Sequence, residues 1–144
     1  MSTKFHYFAG KAKWAQVYKG NGDDKYESWK INVYLTPDSW EEFKATGLQL
    51  EQRFDEEGSY VTFRRRYNQI IKKELVEFDP PKVVDADGNE STALIGNGSD
   101  VVVKVSVFDT RKGPGHRLEA IKIVKLVEYN KTALVLNGVE IAPF

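Results

Sequence analysis

The sequence predicts a mainly β protein, a small and partly closed antiparallel barrel that carries one short helix and an inserted excursion. Three observations lead to this fold class. Several segments alternate apolar and polar residues with the period of two that is typical of strands. One strong helix-start signal lies between two of these segments. The last long segment changes the phase of its alternation, which indicates a bend.

The first third of the chain predicts two strands joined by a turn. Residues 1–10 are expected to form a loosely ordered start, and Lys11–Lys19 alternates without showing which face points inward. The composition of Gly20–Lys25 is that of a turn. Tyr26–Leu35 is the clearest strand, because one of its faces is mostly apolar while the other carries Lys30 and two tyrosines.

A short helix is predicted to follow the second strand. Thr36 is a favourable N-cap, and proline is favoured at the first helical position, which Pro37 occupies. Gly47 is a typical C-terminal stop. An acidic connector, Gln49–Gly58, comes next. The stripe that this helix is expected to bury consists of Trp40, Phe43 and Leu48.

The stretch Ser59–Lys73, SYVTFRRRYNQIIKK, begins as a strand and contains no acidic residue. Alternation places Val61 and Phe63 in the core, with Arg65 on the same side of the strand, near its end. The opposite face of this strand carries Tyr60, Arg64 and Arg66. Lys72 and Lys73 already belong to the segment that follows.

The segment 68–99 is predicted to be an excursion beside the barrel, with a strand at Glu74–Phe78. Asp87-Gly88 indicates a β-turn, and the acidic run around it places its glycine and glutamate too early for a calcium loop. The glycine-rich turn Ile95–Ser99 lacks the lysine and the following Ser/Thr of a phosphate-binding loop.

Two long strands are predicted after the excursion. Asp100–Asp109 points alternate valines inward, and His116–Tyr129 changes phase near Ala120–Ile123, which indicates a bulge or a bend. Residues 130–144 are expected to form a tail or a final hairpin around Asn137-Gly138, a favourable type I′ turn.

This order of elements favours an OB-type barrel over residues 1–129 as a single domain, with a β-sandwich as the second possibility. A chain of 144 residues is long enough for one such core. Cysteine is absent, and no apolar run has the length of a signal peptide or of a membrane span. We therefore expect a cytoplasmic protein that makes no membrane contact.

Charge is unevenly distributed, although the net charge of the chain is zero. Asp38–Glu57 holds seven acidic residues against Lys44 and Arg53, whereas Ser59–Lys73 holds only basic ones and Arg111–Lys125 mostly basic ones. The protein can therefore present one positive and one negative face.

Basic and aromatic residues recur on the predicted strands and loops, which indicates a surface for single-stranded nucleic acid. Cations follow phosphates, and flat rings stack on unpaired bases. A single tyrosine in a strand is more often packed than stacked, so the joint pattern carries the inference. The candidate DNA-binding residues are Trp14, Tyr18, Lys30, Tyr34, Tyr60, Arg64, Arg65, Arg66, Tyr67, Lys72, Lys73, Lys104, Phe108, Arg111, Lys112, Arg117 and Lys122.

Sequence motifs of catalysis are missing. His6 and His116 are far apart and outside metal-ligand spacing, and no G-x-S-x-G elbow is present. A solvated face accounts for the many carboxylates of residues 41–57. We therefore expect no enzyme, no metal and no cofactor.

Five runs of the sequence resemble phage-encoded single-stranded DNA-binding proteins, an OB-fold family distantly similar to the T7-type phage single-strand binder. They are KAKWAQVYKG…YESWKINVYL, SYVTFRRR, PPKVVDADGNE, LIGNGSDVVVKVSVFDT and GPGHRLEAIKIVKLVEY, within residues 11–129. The resemblance is firmest at Phe63–Arg66 and Val101–Phe108. It implies a host-cytoplasmic protein that coats and protects single strands, without base specificity, in phage replication, recombination and repair.

The C-terminal Pro143-Phe144 resembles the tip with which many single-strand binders dock phage or host replication proteins. The acidic run of such tails is absent here, since Glu140 is the only acid after Glu128. Oligomerisation stays open. Two other functions also remain open: a protein-interaction or virion structural module without nucleic acid, and an oligosaccharide-binding or enzymatic small barrel.

Overall fold

The computed structural model describes residues 3–18, 27–127, 134–136 and 139–141. One seven-stranded sheet dominates it, in the order β3-β4-β2-β1-β8-β9-β7. The pairs β5–β6 and β10–β11 form two small separate sheets. The elements are β1 (Lys4–Gln16), β2 (Ser28–Leu35), α1 (Pro37–Ala45), β3 (Arg53–Asp55), β4 (Gly58–Arg66), β5 (Asn68–Ile71), β6 (Glu74–Glu77), β7 (Lys82–Val84), β8 (Asp100–Thr110), β9 (Gly113–Lys125), β10 (Leu134–Leu136) and β11 (Val139–Ile141).

The large sheet curls round a single core instead of forming two stacked sheets. Its neighbouring strands are antiparallel, apart from β7, which runs parallel to β9. β4 and β9 approach each other across the open side, where the backbone N–H of Arg64 donates to the ring nitrogen Nε2 of His116 over 3.1 Å. The predicted partly closed barrel with one short helix is therefore confirmed, although no backbone ladder closes it.

The expectation of a loosely ordered start is wrong. Lys4–Lys11 pairs in unbroken register with Asp100–Val107, so β1 lies in the middle of the sheet between β2 and β8. Its inward positions are Phe8, which is fully buried, followed by Gly10 and Ala12. Glycine and alanine give almost no apolar signal, which is why the alternation of this strand is weak in the sequence.

Three phenylalanine rings form the centre of the core. Phe8 and Phe63 are stacked with their ring centroids 5.4 Å apart, and the ring of Phe43 meets both of them edge-on. Phe43 comes from α1, which begins as expected: the Thr36 hydroxyl accepts a hydrogen bond from the backbone N–H of Ser39. Gly47, at φ +76°, ends the helical segment.

The predicted irregularity of the last long strand consists of two register shifts against β8, one at Val124 and a β-bulge at Glu119. Val105 pairs with Leu118 and Lys104 pairs with Ala120, so Glu119 is the extra residue of β9. The bulge lies next to the predicted range Ala120–Ile123. It increases the local twist of the strand and re-aims the side chains that precede it.

The excursion, residues 68–99, contains a separate hairpin and a strand that belongs to the main sheet. β5 and β6 form a hairpin whose turn residues, Lys72 and Lys73, both have positive φ, at 51° and 69°. β7 joins the main sheet instead. The predicted β-turn at Asp87-Gly88 is present, with an Asp85 carboxylate oxygen accepting from two backbone N–H groups.

Near the C-terminus, β10 pairs antiparallel with β11. Asn137-Gly138 and the tip Pro143-Phe144 lie outside the described residues, as does Gly20–Lys25. The helix that the structure describes is too short to cross a membrane. The domain boundaries at residues 129 and 130 stay a prediction.

Gly10 provides a test of the close approach between β1 and β2. A Cβ atom on Gly10 would lie 2.1 Å from the carbonyl oxygen of Tyr34 on β2, a contact that only a backbone shift relieves. We expect Gly10→Ala to lower the free energy of unfolding by about 1–3 kcal/mol, measured by urea denaturation. The control, Lys11→Ala on the exposed face, should change it by roughly 0.5 kcal/mol or less. Equal effects would contradict the close approach.

Candidate nucleic-acid interface

A groove opens where the end of β4 faces the beginning of β9. We call it the β4–β9 groove, and its volume is about 620 Å³. The β5–β6 hairpin and the segment after it supply the third wall. The lining residues are Glu27, Ser28, Arg64, Arg65, Arg66, Asn68, Gln69, Phe78, Phe108, Thr110, Gly115, His116 and Arg117.

Five of the residues predicted from the sequence meet in this groove, although they come from three strands and are up to 53 positions apart. They are Arg64, Arg65, Arg66, Phe108 and Arg117. Alternation along β4 explains their arrangement: Val61 and Phe63 are fully buried, as expected. Arg64 lies opposite Lys30 of β2, and Arg65 lies opposite Trp29.

Arg117 is held against aromatic rings at the floor of the groove. The Cζ atom of its guanidinium lies 4.5 Å from the ring centroid of Phe78 and 5.6 Å from that of Phe108. Its Nη2 donates to the amide oxygen of Gln69 over 3.4 Å. The groove therefore contains flat rings and a flat cation in contact, an arrangement to which a nucleobase can add by stacking.

Arg65 has a structural role, because its guanidinium joins β4 to the segment after the β5–β6 hairpin and to β9. Its Nε donates to the carbonyl oxygen of Asp79 over 2.7 Å, and its Nη1 lies 3.6 Å from a carboxylate oxygen of Glu119. Burial lowers the pKa of the Arg65 guanidinium, and the charge of Glu119 opposes this effect. Arg66, by contrast, is exposed at the rim.

His116 connects the two strands as a neutral ring. Burial, followed by the charge of Arg64, lowers its pKa to about 4. Its Nε2 accepts from the backbone N–H of Arg64, and its ring packs edge-on against Phe63 with centroids 6.1 Å apart. A neutral imidazole accepts hydrogen bonds and an imidazolium does not. The contact therefore requires the unprotonated form.

A second cluster lies on the outer face of the sheet. The Nζ of Lys13 lies 3.0 Å from a carboxylate oxygen of Asp55, which also accepts from the hydroxyl of Tyr34. These bonds raise the pKa of Lys13 and lower that of Asp55 to about 2. Burial, reinforced by the bond to Asp55, raises the pKa of Tyr34 to about 12. The cluster ties β3 to β1 and β2.

Several predicted aromatic residues are packed against other groups. Tyr60 is only 8% exposed and meets the ring of Tyr34 at 5.3 Å. Tyr67 packs edge-on against Trp29, with centroids 4.6 Å apart. The hydroxyl of Tyr18 donates to the carbonyl oxygen of Ala93, and burial raises its pKa. DNA contact through these rings stays a prediction.

The remaining predicted residues are spread over the surface. Trp14 is 53% exposed, with Lys13 over its ring at 4.5 Å. Two basic pairs occupy hairpin turns, one at the tip of β5–β6 and one between β8 and β9. Three predicted lysines lie on the strands themselves. Lys30 pairs with Arg64 of β4, Lys104 with Tyr7 of β1, and Lys122 with Val102 of β8. The residues at the turns are Lys72, Lys73, Arg111 and Lys112.

Phe78, Gln69 and His116 line the groove but were not among the predicted site residues. Phe78 was expected only as the end of a strand. It reaches the groove because the β5–β6 hairpin returns the chain to the end of β4, where its backbone N–H donates to the carbonyl oxygen of Tyr67 over 2.8 Å. The missed signal is the in-register hairpin Asn68–Glu77, in which Ile70 pairs with Leu75 across the two strands.

The described residues include no group of three or more His, Asp or Glu side chains placed to hold a metal ion. No protein-family profile and no curated protein matches the sequence.

Two solved structures of phage single-stranded DNA-binding proteins are, in contrast, similar to this chain. The first is gp2.5, the single-stranded DNA-binding protein encoded by bacteriophage T7, with a TM-score of 0.54 and 21% identity over 89% of this chain and 90% of that one. The second is a C-terminally truncated single-stranded DNA-binding protein from bacteriophage Enc34, with a TM-score of 0.45 and 13% identity over 88% and 87%. The similarity to gp2.5 confirms the predicted fold.

His116 predicts a specific pH dependence of stability. Its pKa is about 4 in the fold and about 6.5 in the unfolded chain, so the unfolded state binds more protons between these values. The free energy of unfolding should therefore fall as the pH drops from 6.5 to 4, by up to ~3 kcal/mol from this residue. His116→Gln keeps an acceptor but cannot titrate, so this part of the slope should vanish.

The measurement is urea unfolding of both proteins at several pH values between 7 and 4. Carboxylates titrate in both proteins, so the difference between the two profiles isolates His116. Parallel profiles would show that His116 is not held neutral in the fold.

Proposed function

We propose that this protein binds single-stranded DNA without sequence preference, through the β4–β9 groove. In this proposal it coats and protects single strands during phage DNA replication, recombination and repair, in the cytoplasm of the host. The observation that carries the proposal is the composition of the groove: four arginines and two phenylalanines line one continuous concave surface.

Electrostatics supports a polyanionic ligand. The whole chain has no net charge, yet its groove lining has four arginines against one carboxylate, that of Glu27. His116 adds no charge at neutral pH, because its pKa lies near 4. Such a local concentration of cations in a concave surface attracts phosphates.

The rings in the groove support single strands over duplex. A base in a duplex is stacked on its neighbours and offers no free face, whereas an unpaired base can stack on a protein ring. Phe78 and Phe108 stand beside Arg117, whose guanidinium plane also stacks on bases. These contacts read no base edge, so they tolerate any sequence.

The comparison supports the same ligand by analogy. The solved structure with the same fold over about nine tenths of both chains is described as a single-stranded DNA-binding protein. We extend the proposal to a docking role of Pro143-Phe144 for phage or host replication proteins and to self-association, both on the strength of the sequence resemblance.

The first test is the salt dependence of binding. Anisotropy of a labelled 16-nucleotide oligo-dT should report an affinity that falls as salt rises, with a log–log slope of about −0.7 per phosphate contacted. Binding to a duplex of equal length should be weaker throughout. Affinity that ignores salt, or equal affinity for duplex, would contradict the proposal. So would the absence of any complex, which a purely structural module predicts.

The second test removes cations from the groove. Arg66 is exposed at the rim and Arg117 lies on the floor, so Arg66→Gln/Arg117→Gln should weaken binding and flatten the salt slope by roughly 0.7 for each phosphate that the variant no longer neutralises. The loss of affinity should be equal for oligo-dT and oligo-dC. Lys44→Gln, on the exposed side of α1, is the matched control and should bind as the unmodified protein does. A loss confined to one base composition would refute the non-specific mechanism.

A further inference from the structure

We propose that single-stranded DNA does not end at the β4–β9 groove but continues over the outer face of β8 and β1, where Phe5 and Tyr7 stack on nucleobases. This inference rests on the proposed function and adds a second subsite to it. Neither ring was a candidate in the sequence, where residues 1–10 gave no strand.

The two subsites are physically continuous. A second depression, of about 500 Å³, shares Phe108 and Arg117 with the β4–β9 groove. The two shared side chains therefore line both the groove and its extension. The lining of the second depression is Thr3, Phe5, Ser106, Phe108, Asp109, Arg117 and Glu119.

The register of the sheet sets the distances along this path. Arg117 pairs with Ser106, which pairs with Phe5, so the three residues form one row across β9, β8 and β1. Neighbouring strands lie about 4.8 Å apart, which places Phe5 roughly 10 Å from Arg117. Tyr7 lies two residues further along β1, about 6.7 Å beyond Phe5 on the same face.

Both rings are presented to solvent. Phe5 is 53% exposed and Tyr7 is 59% exposed, while Phe8 on the inner face of the same strand is fully buried. The strand is therefore well packed on one side and offers two large rings on the other. Exposed rings in a row beside a cationic groove are the arrangement that binds successive unpaired bases.

Lysine side chains beside the two rings provide positions for phosphates, while the rings provide positions for bases. The Nζ of Lys104 lies 4.7 Å from the ring centroid of Phe5. Lys104 pairs with Tyr7 and Val102 pairs with Lys122, so both lysines continue the cationic track that starts at Arg117. On the far side, the ion pair of Lys11 with Asp100, at 3.0 Å, marks the end of the track.

Two carboxylates also line the second depression, and they favour bases over phosphates at its floor. Glu119 accepts from the hydroxyl of Ser106 over 2.9 Å, and its carboxylate lies 3.6 Å from Nη1 of Arg65. Asp109 is exposed near the turn between β8 and β9. A phosphate would be repelled there, whereas a neutral base on the ring of Phe5 would not.

The experiment compares oligonucleotides of two lengths. Phe5→Ala/Tyr7→Ala should lose at least about tenfold in affinity for a 16-nucleotide oligo-dT, since each stacked base contributes roughly a tenfold factor. Affinity for a 4-nucleotide oligo-dT, about the smallest site size of an OB fold and short enough to bind within the β4–β9 groove, should stay within about twofold. Phe5→Tyr/Tyr7→Phe keeps both rings and should restore the affinity for the long oligonucleotide.

Phe54→Ala is the matched control, because Phe54 is 73% exposed on β3, away from the proposed path. It should bind both lengths as the unmodified protein does. If the unmodified protein binds DNA and the Phe5→Ala/Tyr7→Ala variant binds each length with the same affinity as the unmodified protein, the extension is refuted. The proposed role of the β4–β9 groove is then unaffected. If the unmodified protein binds neither length, the proposed function itself has failed.

Discussion

The contact between His116 and the backbone of Arg64 is the constraint on which the groove depends. No backbone ladder joins β4 to β9, so side-chain contacts set the distance between the two strands: the hydrogen bond of His116, the packing of its ring on Phe63, and the contacts of Arg65 with Leu118 and Glu119. Each arginine of the groove is attached to one or the other strand. A neutral imidazole at this contact adds no further positive charge to cations that repel one another.

The four arginines of the groove differ in their contacts and in their exposure to solvent. Arg65 holds the wall through Asp79 and Glu119, and Arg64 donates from its Nη1 to the hydroxyl oxygen of Ser28 over 3.2 Å. Arg117 rests on rings, and Arg66 faces solvent. A run of adjacent arginines in the sequence thus ranges from structural to accessible, because Arg64 and Arg65 have hydrogen-bond partners in the fold and Arg66, at the end of β4, is exposed.

Local signals made much of this fold predictable. Period-two alternation placed Val61 and Phe63 in the core, and the Thr36-Pro37 pair marked the helix, because both signals depend on neighbours in the chain. The position of β1 depends on partners far away in the chain, and its inward residues after Phe8 are too small to show in a pattern. The groove shows the same limit: its arginines were evident, but the approach of Phe78 and His116 requires the tertiary fold.

The central position of β1 also governs the order in which the chain can fold. One of its partners, β2, follows directly, but the other, β8, pairs Lys11 with Asp100, 89 positions later. During synthesis, β1 therefore waits with one edge unpaired until β8 has emerged from the ribosome. Pairings of such separation fold slowly, and an unpaired strand edge invites association with other chains in the meantime.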